Sequence, residues 1–537
     1  MVSELKAGLT KTIAWLRSPV GYYLVLTVIL ASLLLFPPIQ YARLQDDEVV
    51  YYVITKDLVE GFRIPAHRGS TLVPFLLWAP AFLLGDSLLW LRLVTALVTL
   101  ATAVVLYLAG SRMFTPKAGF SAAVLFLFSF HVLRFGIRVV PDPFGSFFAM
   151  LSLWLLVKRK AGSSGAAFSL AAYSYQFWIP MYLVYALEAW RQKLSIRRFF
   201  AGTIIVSSVL QAIIFTQHSP FEILEAFVSG GGPEYVSTAS SWIGPSLGGI
   251  LGGWLEFSVL SFLPLLGIAI GYASNRRRWL MWFIALQFLV VCLYPGFAVH
   301  GGTSHYPYGL VPLLALCGGA GFPIAWKILT RRPNANRLYA AVLLCLLVGQ
   351  VLAFNQMATS LSVRGVQGVY DLGYQYDIAA LDALRQMDRG GLIVGETAHG
   401  TLIDRTRFVW APSGGSLDLN PTLFMGYRAD VIFKDVTNAS SRVQVVEIGP
   451  YILVQLRDAG RLSDYISVST HDDQVWLYRG HVQQIEWWQP ALAGMMVIVL
   501  VLSLLMGSRN LNGSDRLRTE RRVAGAETTS HKRRSWS

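Results

Sequence analysis

VGYYLVLTVILASLLLFPPIQYARLQDDEVVYY, residues 20–52, runs from an apolar stretch straight into three adjacent acids. The stretch from Val20 to Pro38 carries no charge. As a helix rising 1.5 Å per residue it comes close to the roughly 30 Å depth of a bilayer core. Asp46, Asp47 and Glu48 then appear where the chain first meets water, with only Arg43 as a nearby positive neighbour. Like charges in adjacent positions repel. Either these acids simply mark a helix end, or they carry chemistry at the membrane surface.

The remainder of the chain favours the second reading. Of its 537 residues 54% are hydrophobic and 14% charged, with a mean hydropathy of +0.49. That charge content is well below the roughly 25% of soluble domains, and apolar runs of span length recur along the chain. The expected fold is a polytopic α-helical membrane protein of about 12 spans, at 20–38, 88–110, 118–133, 143–157, 163–176, 178–190, 199–216, 246–272, 279–298, 307–328, 338–356 and 487–507. The net charge of +14 lies in short clusters between these runs, a pattern of membrane orientation and not of nucleic-acid binding. Cys292, Cys317 and Cys345 all sit in apolar stretches, which suggests neither a disulfide framework nor a zinc site. The first apolar run has no small-residue cleavage site and reads as a retained span.

Orientation follows from the basic loops. Arg112 and Lys117, Lys158–Lys160, Arg191–Arg198, Arg276–Arg278 and Lys327–Arg337 fall on one side when 163–190 counts as two spans. The loops 217–245 and 299–306 have no Lys or Arg. The positive-inside rule then puts both termini in the cytoplasm. A single tilted helix over 163–190 is the alternative, and it would invert every later loop. The stretch TLVPFLLWAPAFLL (71–84) is short and broken by Pro74 and Pro80. It is expected to lie in the outer interface or re-enter, after an amphipathic helix at about 47–62 whose apolar face is Val50, Val53, Ile54 and Leu58.

Residues 1–357 thus form a transmembrane module, and 358–485 change character. Strand-like GLIVGE, ADVIFKD and QVWLYRG alternate with helix-like DIAALDALRQM and GPYILVQLRDAGRLSDY, which predicts a small extracytoplasmic α/β domain. A last span at 486–507 and a basic cytoplasmic tail at 508–537 complete the chain, the tail having a composition that favours disorder. In this topology the QDDE stretch faces outward. So does Asp142 in RFGIRVVPDPFGSFF, held between two prolines beside Arg134 and Arg138. Two acidic sites, each with basic neighbours and with interfacial helices between them, suit an amphiphile: a lipid tail in the bilayer, a phosphate at its surface and a polar group outside.

At these residues the chain resembles the lipid-dependent, C-type (GT-C) glycosyltransferase superfamily, which includes protein O-mannosyltransferases and lipid A aminoarabinose transferases. Asp47-Glu48-x-x-Tyr51 after the first span is similar to its Asp-Glu motif. LWLRLVTALVTLATAVVLYLAGSRMF resembles its second span, with Arg92 as the motif arginine, and VVPDPFGSFFAML resembles its second acidic loop. SHYPYGLVPLLALCGG resembles its Tyr-containing approach to a late span, with Tyr306 and Pro312 matching. The likeness covers about residues 20–330. Asp46 is an addition to the pair, and PAHRGSTLVP, with His67 and Arg68, stands where a His-Pro-Pro element is often found.

The resemblance implies transfer of a sugar from a polyprenyl phosphate to an acceptor hydroxyl on a glycan, lipid or protein, on the outer face and with inversion. Such chemistry needs a carboxylate to take the hydroxyl proton and positive charge on the departing phosphate. Asp47 is the expected base. Consecutive helical residues point about 100° apart, so Glu48 and Asp142 take other tasks: positioning the acceptor, or holding a divalent cation such as Mg or Mn. Arg68, Arg138, Tyr306 and His305 are the candidates for the donor phosphate. A transporter or flippase for an amphiphile is the rival reading. Transporters place ionisable groups at mid-membrane, whereas the span interiors here hold few, among them Arg92, Glu188 and Glu256.

Overall fold

A computed structural model describes residues 18–61, 71–222, 255–272, 306–330, 335–360 and 374–387, position 402, and the strand residues 393–395, 408–410, 423–427, 443–448, 451–456 and 475–477. The helices are α1 Pro19–Leu35, α2 Asp46–Gly61, α3 Leu72–Trp78, α4 Leu88–Met113, α5 Pro116–Leu127, α6 Phe130–Phe135 and α7 Asp142–Val157. There follow α8 Ala161–Ala172, α9 Tyr182–Arg191, α10 Ile196–Phe215, α11 Phe262–Tyr272, α12 Val311–Thr330, α13 Asn336–Ser360 and α14 Tyr374–Met387. Among the described residues five helical stretches are long and apolar enough to cross a membrane: Pro19–Gln40, Leu88–Met113, Ile196–Phe215, Pro307–Thr330 and Asn336–Phe354. The protein is built as an integral membrane protein. The candidate spans 279–298 and 487–507 lie outside the described residues, as does the first third of 246–272.

Polar caps set where these helices start. Ser18, Ser87 and Thr115 each accept a hydrogen bond from a backbone N–H in the first turn of the helix that follows, satisfying donors that have no intrahelical partner. The expected span 118–133 is broken. Ser129 donates to the Phe126 carbonyl at the end of α5 and accepts from the Val132 N–H at the start of α6, so one hydroxyl closes a helix and opens the next. The stretch 71–84 is α3 followed by a 3₁₀ segment, Ala79–Leu84, the form expected of a proline-interrupted run.

Small residues let the helices meet backbone to backbone. In the α4–α5 hairpin a Cβ on Gly119 would sit 2.4 Å from the Tyr107 carbonyl oxygen. Between α8 and α10 a Cβ on Gly165 would sit 1.9 Å from the Phe199 carbonyl oxygen, and one on Gly202 would sit 2.0 Å from that of Gly162. Polar ties continue along the same pair, Ser169 to Ser207 at 2.7 Å and Tyr173 to Gln211 at 2.9 Å. The partner numbers rise together, so α8 and α10 run parallel, and the chain must come back between them. It does so through the 3₁₀ segment Gln176–Met181 and α9. The helix that starts at Ala161 ends at Ala172, and 163–190 is two segments, not one tilted helix.

The strands β1 Ile393–Gly395, β2 Phe408–Trp410, β3 Leu423–Tyr427, β4 Val443–Ile448, β5 Tyr451–Leu456 and β6 Val475–Leu477 form one mixed sheet in the order β2-β1-β3-β5-β4-β6. GLIVGE, QVWLYRG and DIAALDALRQM contribute β1, β6 and most of α14 as expected, while ADVIFKD lies outside the described residues. The helix expected in GPYILVQLRDAGRLSDY is overturned in its first half. Tyr451–Leu456 is β5, antiparallel to both β3 and β4, because its aromatic and branched side chains favour a pleated, packed surface. Two compact units emerge. One takes in residues up to Ile324 and from Val351 to Gln484, so that the sheet belongs with most of the helices; the other holds Ala325–Gln350, where Trp326 and Tyr339 meet edge to face.

The glycine contacts can be tested directly. Gly165→Ala should lower the melting temperature in detergent by the equivalent of roughly 1–3 kcal/mol, the usual cost of overpacking. Gly349→Ala, where nothing lies within 4 Å of the added carbon, should leave it unchanged or raise it slightly, since alanine is the better helix former.

Candidate active site

The three acids of the opening stretch begin α2, where a helix N-terminus favours negative charge. Beyond that they diverge. Glu48 is fully buried, while Asp47 stays exposed beside it in the same turn. The buried side of α2 runs through Glu48, Tyr51, Ile54, Thr55 and Leu58. It is rotated from the expected face of Val50 and Val53, because hydrophobicity alone does not anticipate an inward glutamate. Tyr51 packs against Phe75 and Trp78, with ring centroids 5.9 and 6.1 Å apart. Lys56 bonds Asp86 at 2.6 Å and the Tyr52 hydroxyl donates to the same carboxylate, pinning the outer side of α2 to the segment before α4.

Arg92 of α4 is what holds Glu48. Its Nε and Nη2 donate to the two carboxylate oxygens at 2.7 and 2.6 Å. Nη1 donates to the carbonyls of Ile39 and Ala42 at 2.9 and 2.7 Å, and Nη2 also to that of Arg43 at 3.0 Å. All five guanidinium protons are therefore used. The fork grips the carboxylate in two-pronged fashion and gathers the turn that leads from the first span into α2. Arg138 completes the arrangement. Its Nη1 donates to the Arg43 carbonyl and lies 3.7 Å from Glu48 Oε2, while its Nε donates to the Arg134 carbonyl at 2.9 Å. The Val139 N–H donates to Glu48 Oε1 at 3.1 Å. Burial alone would raise the Glu48 carboxyl. The Arg92 charge and hydrogen bonds, then the Arg138 charge and the Val139 N–H, outweigh it and hold the group below its ordinary value.

Asp142 opens α7 three residues beyond Val139 and is fully buried, so the N–H on Glu48 ties the second acidic loop to the first. α7 in turn packs against the 3₁₀ turn Tyr306–Leu310. There Tyr308 is buried, its hydroxyl 3.5 Å from Thr99 Oγ1 and within range of the Asp142 charge. The structure thus assembles Asp47, Glu48, Arg138 and Asp142 around one turn of chain, with Tyr306 opening the 3₁₀ segment beside α7. Arg68, His67 and His305 lie outside the described residues. Arg43 and Arg92 belong to the site more centrally than their sequence positions suggest. A usable signal existed for Arg92: an arginine inside an apolar run needs a carboxylate partner, and Glu48 lies at the same end of the bundle.

The option of a divalent cation on Glu48 and Asp142 does not match this donor set. Glu48 is occupied by two guanidinium groups, and among the described residues no three His, Cys, Asp or Glu side chains come together to hold a metal ion.

No protein-family model matches the chain, and no curated protein is similar to it in sequence. Solved structures are similar to it in fold. ArnT from Cupriavidus metallidurans in the apo state aligns with a TM-score of 0.51 at 14% identity, over 81% of this chain and 98% of that one. The same protein bound to undecaprenyl phosphate gives 0.50 at 12%, over 81% and 97%. The archaeal oligosaccharyltransferase AglB from Archaeoglobus fulgidus, in complex with an inhibitory peptide and a dolichol-phosphate, aligns at 0.45 and 11% identity, over 81% of this chain and 74% of that one. Over four-fifths of its length the chain therefore shares its fold with ArnT.

The ion network predicts a stability effect. Glu48→Gln keeps the shape but leaves two buried guanidinium groups uncompensated, and should cost roughly 3–5 kcal/mol, read as a large drop in melting temperature. In the unaltered protein the depressed Glu48 carboxyl contributes stability that is fully present above the ordinary carboxylate range near pH 4. That contribution should disappear as the pH falls further, through the folded-state value. A melting temperature insensitive to Glu48→Gln would show that the network does not support the fold.

Proposed function

We propose that the protein is an integral-membrane glycosyltransferase that moves a sugar from a polyprenyl-phosphate donor to an acceptor hydroxyl on the extracytoplasmic face, with inversion. One observation carries the reading: of two adjacent carboxylates, Glu48 is sequestered by Arg92 and Arg138, and Asp47 is left exposed at the head of the helix they anchor. A base needs rigid placement and access to its substrate, and the division of labour supplies both.

In this mechanism Asp47 takes the acceptor proton as the acceptor oxygen attacks the anomeric carbon. The bond from that carbon to the phosphate oxygen breaks on the opposite side, and polyprenyl phosphate departs with the electron pair. Arg68 and Tyr306, with His305, are assigned to the phosphate. Arg138, already engaged by Glu48 and the Arg43 carbonyl, fixes the position of the two acidic loops. Asp142 orients the acceptor from the second loop. The α/β sheet region lies outside the membrane, and both termini are cytoplasmic. A flippase is disfavoured because most of the described buried charges, Arg43, Glu48, Arg92, Arg138 and Asp142, gather around the start of α2, while Glu188 pairs with Arg191 at the end of α9.

Asp47→Asn should preserve expression and donor binding while lowering transfer from a radiolabelled polyprenyl-phosphate sugar by on the order of 10²-fold or more, the usual worth of a positioned base. Asp142→Asn should lose less. Near-normal transfer by Asp47→Asn would end the assignment.

Sidedness has its own test. In a background lacking the three native cysteines, Ser240→Cys and Ser416→Cys should react with an impermeant thiol reagent in intact cells, and Ser274→Cys should not. The opposite pattern would move the site to the cytoplasmic face.

A further inference from the structure

α14 lies against β3, β4 and β5 of the sheet and presents Asp377 and Leu381 to the turn that precedes α2. Asp377 is fully buried. Its Oδ2 accepts the Leu44 backbone N–H at 2.5 Å, and its Oδ1 stands 3.7 Å from Arg43 Nε. One helical turn later Leu381 packs with Leu44 and Val49, flanked by Val50, Val53 and Leu88. An acid in the first turn of a helix would be served as well by water if it only balanced the helix dipole. Here it is withdrawn from water, which is costly for a carboxylate unless its new partners replace the hydration. Both of those partners belong to one turn, with Leu44 333 residues earlier in the chain.

Arg43 and Leu44 are consequently gripped from two directions. The Arg43 carbonyl receives Arg92 and Arg138 from the helix bundle, and the Leu44 N–H and Arg43 side chain are taken by Asp377. α2 begins two residues on, its first turn closed by the Val49 N–H on the Gln45 carbonyl at 3.0 Å. The direction in which α2 sets out, and with it the placement of Asp47, depends on both grips. We infer that Asp377 is a positioning residue, through which the α/β region holds the Asp47 turn in place for transfer. The inference rests on the proposed role of Asp47, but its first readout does not.

The test uses the full-length protein in lipid nanodiscs with Asp377→Ala and, in case that variant folds poorly, Asp377→Asn, which keeps an oxygen for the Leu44 N–H but loses the charge facing Arg43. Hydrogen exchange of the 41–52 segment should accelerate by on the order of 10- to 100-fold in Asp377→Ala, the ratio expected when a hydrogen bond to a charged group is lost. Segment 88–113 should be unchanged, and Asp377→Asn should fall between. In the transfer assay kcat should drop about 10-fold with the donor KM unaltered, and Asp377→Asn should recover part of it. Unchanged exchange at 41–52 overturns the inference. Faster exchange with unaltered kcat, in a protein that Asp47→Asn inactivates, also overturns it and leaves the assignment of Asp47 standing. Full activity of Asp47→Asn would instead defeat the functional reading, and the exchange result would still decide whether Asp377 holds the turn.

Discussion

A buried arginine in an apolar helix must have its charge balanced and its five protons accepted, and the two-pronged bond between Arg92 and Glu48 balances the charge and takes two of the protons. The remaining protons go to the carbonyls of Ile39, Ala42 and Arg43, which are the end of one span and the approach to α2. A single side chain therefore decides how the chain leaves the membrane, where α2 starts and which way its first turn faces. Arg138 and the Val139 N–H extend the same centre to the loop before α7, so two acidic segments 91 residues apart in sequence are joined through one carboxylate.

This constraint also explains the crowding of acids at positions 46–48. A helix N-terminus tolerates several carboxylates, but adjacent ones cannot share a direction. Once Glu48 is drawn inward, Asp47 is turned toward the exposed side. Tyr51, one turn after Glu48, joins Phe75 and Trp78, and Trp78 in turn donates to Thr95 of α4 at 3.0 Å. The three residues of the Asp-Glu-x-x-Tyr pattern thus divide into an exposed acid, an internal counter-ion and an aromatic wedge. The placement of Asp47 follows from residues that are themselves buried.

The bundle around this centre relies on close approach. Without a hydrophobic difference between lipid and side chain, helices in a membrane associate through packing and hydrogen bonds. The glycine contacts of α8 with α10 and the Ser152–Ser164 pair between α7 and α8, at 2.8 Å, are of that kind. They also fix the direction of each helix, which is why the parallel pairing of α8 and α10 resolves the 163–190 region where hydropathy left two readings.

The class of the molecule and the limits of most of its described helices were legible in the sequence, because hydropathy and proline positions act locally. The sequence marked α2 and the broken segment 71–84, and it found β1, β6 and α14. It misread Tyr451–Leu456 as helical, since a short apolar run takes its state from the neighbours it pairs with. Only the tertiary structure decided that Glu48 belongs to Arg92, that Arg138 faces a carboxylate and a carbonyl, and that Asp377 reaches back to Leu44. Each of those outcomes is the pairing of a buried charge across tens to hundreds of residues. No local pattern records such a pairing, because the free energy that selects the partner arises only when folding removes both groups from water.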